Sequence, residues 1–455
     1  MKHVAVIDIG KTNAKLVLVD LADMSELAVV TRPNRVLPGP PWPHFDLDGH
    51  WEFILESLSR FQSDHGIDAI SVTTHGASVV LLDEFGNLAA PMLDYEHPGP
   101  DAFAVSYDAI RPDFSETGSP RLSMGLNVGA QLHYMFETLP GLRERTGYIL
   151  TYPQYWSYRL TGVPATEVSS LGCHSDLWDP FNARLSSLVE RLGITGKIAP
   201  QHPARDVLGT VLREVADKTN IRSGTPVLCG IHDSNASLLP YVLDRNPPFS
   251  VVSTGTWVIA MSMGSKKVEL DPNRDTLVNV NALGAAVPSA RFMGGREHDI
   301  ISDGQTGEPN GADLDAVLSE RVMLMPAVVA DTGPFQGRSS TWIGAEPETG
   351  SGKRAAVLAF YLALMTAESL RLAGHSGEIL VEGPFAQNQA YLDMLSAATN
   401  SIVRRSGGTT GTSLGSALLA LPDGAFKLPE METVDCRSDR RLNAYAEDWR
   451  GRVQD

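Results

Sequence analysis

Residues 228–239, LCGIHDSNASLL, hold the group best placed to do chemistry. An apolar run ends at Gly230, the pair His232-Asp233 follows, and small residues then open a helix. A carboxylate at the end of a strand is held rigidly, is partly dried, and faces whatever crevice the strand ends line. In that position Asp233 suits a general base. The competing reading is a helix N-cap, because Asp ahead of an apolar helical run is a common start signal.

Two other stretches suit phosphate. Residues 4–8 form an apolar run closing on an acid, Gly10-Lys11-Thr12-Asn13 makes a turn, and residues 16–19 run back. Such a loop aims backbone N–H groups into a small concavity, an anion nest without a helix. Thr12 and Asn13 add side-chain donors, and Lys11 or Lys15 adds charge. Asp8 alone would repel phosphate, but it makes sense as the holder of a magnesium ion that bridges phosphate oxygens, directly or through water. Asp8 and Asp233 are therefore the candidate metal ligands. The pattern returns at 250–263: strand, Thr254-Gly255-Thr256 turn, strand, with Ser253 where the first copy has Asp8. Either copy alone reads equally well as a plain polar hairpin; the pair suggests a duplicated unit, each copy starting a domain.

Three weaker features complete the chemical inventory. The glycine-rich run 407–415 gives backbone that can approach a flat ligand such as adenine, with Gly383 and Asn388 as an opposing wall; glycines kept for tight packing explain the same residues. His75-Gly76 and Asp94 follow strand-like runs, where they supply donors and acceptors for a polyol or sugar; a loop histidine and a surface turn are the plainer readings. TGSGKR (349–354) imitates the end of a P-loop, but Pro347 stands at the required first glycine and Arg354 replaces the magnesium-binding Ser or Thr. No HEXXH cluster occurs.

The elements that must position these groups are strands at 4–8, 16–19, 27–31 and 69–74, a helix at 49–62, a largely helical region at 101–205 with an amphipathic helix at 153–162, and the strand and helix around Asp233. Asp244-Arg245-Asn246-Pro247-Pro248 then stops the helix and stiffens the crossing, which divides the chain into domains 1–244 and 245–455. In the second, a helix is expected at 354–373, strands at 379–381 and 402–404, a helix at 388–399, and a polar peripheral tail at 436–455. A chain of 455 residues exceeds what one core usually serves. The net charge of −17 argues against nucleic acid or an anionic membrane as partner. Cys173, Cys229 and Cys436 form no CxxC pair, as suits a reducing cytosol. The N-terminus lacks a signal-peptide pattern, and the apolar stretch 355–367 is too short to span a bilayer, so a cytoplasmic protein is expected.

DIGKTNAK, GIHDSNAS, STGTW and VEGPFAQN with GTSLGSALLA, in this order and over nearly the whole chain, resemble the FGGY carbohydrate kinases. The resemblance implies an actin-like, ribonuclease-H-like α/β fold in two duplicated domains with a central cleft. It also implies transfer of the γ-phosphoryl of ATP, with magnesium, to a sugar hydroxyl, and it allows a homodimer. It makes Asp8 the acid that organises magnesium, Gly10, Lys11, Thr12 and Asn13 the first phosphate loop, and Asp233 the catalytic base, in contact with both sugar and metal. Thr254, Gly255 and Thr256 become the second phosphate loop, and Gly383, Asn388 and Gly415 the adenosine site. His75, Gly76 and Asp94 fall in the sugar-contacting blocks. The pair His232-Asp233, the segment PQYWSYRLTG and Gln131-Leu132 resemble rhamnulokinases and fuculokinases, which points to a deoxy-ketohexose. Gly383-Pro384 departs from the family's double glycine, Val128 and Gln131 break its first signature, and Met365 stands where a helical Glu is expected. The alternatives are a kinase for xylulose, ribulose or glycerol, a nucleotide-gated binding protein on the same frame, and a filament-forming ATPase.

Overall fold

The computed structural model of the chain describes residues 1–454 other than 306, 407–410, 423, 429–430 and 437–438. The glycine-rich run is therefore described only from Gly411; Gly407, Gly408, Thr409 and Thr410 lie outside the described residues. Two compact units result. One comprises Met1–Asp244, Val278–Ala286 and Thr410–Leu428, and the other the remainder from Arg245.

The first unit is built on a mixed seven-stranded sheet. β1 (His3–Ile9) pairs antiparallel with β2 (Asn13–Asp20), which carries β3 (Ser25–Pro33) on its other edge. After α1 (Leu47–Asp64), β4 (Ala69–Thr74) returns parallel to β1. β1 and β4 are buried almost throughout, which is why both read as unbroken apolar or small-residue runs rather than alternating ones. α1 starts where the Asp46 side chain accepts the Gly49 N–H, and it lays Ile54, Leu58 and Phe61 against Ala5, Ile7, Leu16 and Ile70. α2 (Tyr152–Thr161) ends on Gly162, whose φ of 78° needs no Cβ. It adds Tyr155 and Trp156 to the same core. β5 (Pro226–Leu228) and β6 (Ile231–His232) both join β4, and α3 (Asp233–Asp244) begins at the next residue.

The second unit repeats the scheme. β7 (Phe249–Thr254) pairs antiparallel with β8 (Val258–Met263), which pairs antiparallel with β9 (Ala286–Phe292). α4 (Gly294–Ser302) and α5 (Gly352–Leu372) follow. β10 (Glu378–Glu382) lies parallel to β7, and after α6 (Gln389–Thr399), β11 (Val403–Arg405) lies parallel to β10. So β7 has the same kinds of neighbour as β1: a hairpin partner on one side and a parallel strand on the other. α7 (Thr412–Ala417) belongs to the first unit, and α8 (Arg440–Gln454) closes the second. The result is a two-domain α/β fold with mixed sheets and flanking helices.

Three expectations need correction. Residues 101–205 are not largely helical; their described helices run at most 11 residues, as in Val128–Thr138, and short strands interrupt them. The helix expected at 354–373 is α5, but its apolar length exceeds 355–367: it is 21 residues, long and apolar enough to cross a membrane, and 89% of its 18-residue apolar window is buried inside the protein. The C-terminal segment is not peripheral. Leu442, Tyr445, Ala446, Trp449 and Val453 form one buried stripe of α8, and Tyr445 and Trp449 donate to the carbonyls of Val322 and Leu324 at 2.7 and 2.9 Å. The stripe has helical spacing, but the charged residues around it hide it in a reading by composition.

Candidate active site

In the first unit, strand ends and one returning helix gather the acids. Asp8 lies near the end of β1 and is 3% exposed. Its Oδ2 accepts from the hydroxyls of Thr412 and Ser413, each at 2.5 Å, and pairs with Lys15 Nζ at 3.3 Å. Both hydroxyls come from the first turn of α7. That helix is fixed against α3 by Gly415: a Cβ there would fall 1.8 Å from the carbonyl oxygen of Ala236. Gly415 thus packs helix on helix and belongs to the first unit. Ser71 and Ser416, in contact at 2.8 Å, tie α7 to β4.

Asp233, the first residue of α3, accepts from the Ser234 N–H at 2.6 Å and from His232 Nε2 at 3.2 Å. Burial pushes its carboxyl up, and the charge of Asp8 adds to that, against the opposing pull of His232 and the Ser234 N–H. Burial works against the charged form of His232, yet Cys173 and the carboxylates of Asp233 and Glu167 carry it up to about 9. Glu167 is wholly buried and is itself pushed up to about 7 by that burial. Gly76 packs on the same imidazole, for a Cβ at 76 would meet His232 Nε2 at 2.5 Å.

His75 is brought to this place by β4, its N–H donating to Ile9 O at 2.8 Å. Its Nδ1 bonds Gly76 O at 2.9 Å, and its ring packs against Phe45, Tyr95 and Tyr152 at 5.0–5.3 Å between centroids. Burial holds it down at about 4, so it is neutral in ordinary buffers. The charges of Lys11, Asp94 and His232 all act on it, while Asp233 and Asp94 both act on Tyr95. His75, Asp94, Tyr95 and Asp233 therefore form one neighbourhood. Lys11 leaves its loop to pair with Asp94, and with Glu96 at 3.2 Å. Thr12 and Asn13 stay exposed at the bend. The bend is braced by Asn34, which takes Thr12 O through its N–H and Gly10 O through its amide, both at 2.9 Å. His50 holds Asn34 in turn at 2.8 Å.

The second unit contains a cavity of about 440 Å³. Gly255 and Thr256 of the β7–β8 turn line it, with His298 of α4, Arg354 of α5, and Phe385 and Asn388. Asn388 caps α6 through the Tyr391 N–H at 3.1 Å. Gly383 has φ 84°, and a Cβ on it would lie 2.0 Å from Thr254 O, so only glycine fits beside β7. The Thr254 hydroxyl is spent on the same junction, donating to Glu382 O at 2.6 Å and accepting from Phe385 N at 3.1 Å. Gly350 and Ser351 of the false P-loop also line the cavity, where Ser351 caps α5. The motif lacks the P-loop glycine pattern, yet it carries residues that line the cavity.

Residues 3–240 match the N-terminal domain of the FGGY family of carbohydrate kinases, and residues 246–428 match the C-terminal domain described as carbohydrate kinase FGGY. The chain belongs to the FGGY family. A solved carbohydrate kinase from Novosphingobium aromaticivorans is 36% identical, with TM-score 0.91 over 100% of this chain and 98% of that one. The L-fuculokinase of Escherichia coli (strain K12) is 26% identical over 274 residues, 57% of this chain. The match spans only 56% of that relative's length. A xylulose kinase from Lactobacillus acidophilus shares the fold, with TM-score 0.79 at 13% identity.

FGGY membership brings magnesium into question. Among the described residues no group of three or more His, Cys, Asp or Glu could cage a metal. All the Asp8 contacts engage Oδ2, which leaves Oδ1 without a partner among the described residues. One free hard oxygen fits magnesium, which usually keeps its waters and binds through one or two carboxylates plus substrate phosphates.

Proposed function

We propose that this FGGY chain is an ATP-dependent, magnesium-requiring sugar kinase of the cytoplasm whose acceptor is a ketose, with a deoxy-ketohexose such as L-fuculose or L-rhamnulose first in line. The observation that carries the reading is the run of contacts from Asp233 to His232, from His232 to Gly76 beside His75, and from His75 through Tyr95 and Lys11 to Asp94, with the charge of Asp8 acting on Asp233. A base next to a charge-handling acid and a wall of hydroxyl partners is what phosphoryl transfer to an alcohol needs. The fuculokinase relatives support the choice of sugar.

In this reading Asp233 takes the proton of the attacking sugar hydroxyl. Its raised affinity for protons makes it a stronger base than an ordinary aspartate, and the His232 contact fixes the direction in which it points. Asp94 and His75 orient the sugar. Asp8, clamped by Thr412, Ser413 and Lys15, presents one oxygen toward magnesium, which when bound offsets charge on the phosphate oxygens. Within the first unit the backbone N–H groups of the Gly10 bend, with Thr12 and Asn13 exposed, suit a phosphate, and within the second unit those of the Gly255 bend, with Thr256 exposed, suit one too. The cavity beside Asn388 and Gly383 takes the adenosine.

The test is ADP release with magnesium, ATP and a panel of L-fuculose, L-rhamnulose, D- and L-xylulose, D-ribulose and glycerol, run on wild type and on Asp233→Asn. Turnover with a ketose is expected, and the variant should lose on the order of a hundredfold or more in turnover while still binding ATP. Near-normal turnover in the variant removes Asp233 from the chemistry, and no acceptor-dependent ADP release removes the kinase reading.

A further inference from the structure

Lys11 lies in the bend that the kinase reading assigns to phosphate, but its side chain does not stay there. The ammonium lies 4.6 Å from the centroid of Tyr95 and 4.9 Å from that of Phe45, the rings that also enclose His75. It binds Asp94 Oδ1 and, at 3.2 Å, Glu96. The Asp94 contact is partly dried, since the Lys11 and Asp94 side chains are 23% and 10% exposed, whereas Glu96 is 55% exposed. A cation flanked by two carboxylates and two ring faces has little charge to offer a polyphosphate. The other lysine of the hairpin, Lys15, is on Asp8.

Asp94 gains a fixed orientation. Its Oδ1 also accepts the Glu96 N–H at 3.2 Å, whereas Oδ2 has no partner among the described residues. A carboxylate oxygen left over on a side chain only 10% exposed is an acceptor open to a donor from a ligand. Around it, Lys11 and the cationic His232 offset two of the three charges of Asp94, Glu96 and Asp233, so the wall keeps a net negative charge. We infer that Lys11 is a positioning and specificity-determining residue of the acceptor site, which locks Asp94 so that its free oxygen receives a hydroxyl of an uncharged sugar and the wall turns away sugar acids. The inference deepens the kinase reading of the same site and rests on it.

Lys11→Met tests it, with Lys11→Arg as the conservative rescue. For the best neutral acceptor of the panel, Lys11→Met should raise KM roughly tenfold or more, the loss of one partly buried charged contact, and leave KM for MgATP within about twofold. Lys11→Arg should restore most of the acceptor KM. A rise in KM for MgATP with the acceptor KM unmoved overturns the inference, and so does wild-type turnover of D-gluconate above that of every neutral ketose. A melting cycle of Lys11→Met and Asp94→Asn needs no substrate and keeps the two readings apart. If no acceptor is turned over but the two losses are coupled, the kinase reading fails while the Lys11–Asp94 lock stands; additive losses overturn the lock itself.

Discussion

Glu297 should make the wall of the second unit's cavity sensitive to pH. It lies on α4 and is wholly buried, accepting the Val329 N–H at 3.1 Å and the Tyr361 hydroxyl at 3.0 Å. Burial pushes its carboxyl from 4.5 up to about 7, with the hydrogen bonds opposing. A carboxyl raised by folding favours the protonated native state. Its stabilising contribution is therefore whole below about 4.5, declines as the unfolded chain ionises, and is lost as pH rises through about 7. At about 1.4 kcal/mol per pH unit the difference is worth roughly 3 kcal/mol. Glu297→Gln replaces the protonated carboxyl with a neutral amide of the same shape, which can still accept from Val329 and bond the Tyr361 hydroxyl. Urea denaturation of both proteins from pH 4.5 to 8 isolates the effect. The stability of wild type relative to the variant should fall by up to about 3 kcal/mol as pH rises, and hydrogen-exchange protection of residues 294–302 should fall with it. Because Gly295, His298, Asp299 and Ser302 on the same helix line the cavity, wild type should also bind ADP less tightly at pH 8 than the variant does. Parallel pH profiles for the two proteins would show that Glu297 is not held protonated by the fold.

Gly415→Ala forces a methyl into the Ala236 carbonyl; it should destabilise the first unit by about 1–3 kcal/mol, read by urea melting, and lower turnover, because α3 begins at Asp233. Ser413→Ala strips one donor from a buried carboxylate and should cost about 1–3 kcal/mol, with a rise in the magnesium concentration required for half-maximal turnover. A stability loss in Ser413→Ala with an unchanged magnesium requirement would leave Ser413 a purely structural clamp.

The strands around Asp8 and Asp233 were legible because each is a buried, uninterrupted run punctuated by glycine. The 69–74 strand and the closure of the 153–162 helix at Gly162 appear as the residues dictate. The duplicated hairpin was visible as a repeated turn, although the strands themselves share little beyond apolar character. What escaped were contacts between residues far apart in the chain. Thr412 and Ser413 lie some 400 positions from the acid they clamp, and in sequence they are only the opening of a glycine-rich helix. Asn34 and His50 sit in a proline-rich loop and a helix start, with nothing local to mark them as braces of the Gly10 bend. The glycine-rich run was read as a wall for adenine, but its described part packs Gly415 on α3, a use of glycine that sequence cannot tell from the other.

The two hairpins share a strand scheme without sharing its charge. Asp8 and Ser253 each stand two residues before the glycine of their bend, in strands with matching neighbours. In the first copy the position is built for a carboxylate, with Lys15 and two hydroxyls from α7 converging on one oxygen. In the second copy no such clamp is needed. The next residue, Thr254, turns its hydroxyl to the backbone of Glu382 and Phe385, joining the bend to the Gly383 turn, whose Pro384 and Phe385 line the second unit's cavity. A second acid there would add negative charge to a chain that already carries −17. The two bends thus differ in what they gather, a clamped carboxylate in one and a hydroxyl tied to the Gly383 turn in the other, and the exchange of Asp for Ser marks that difference.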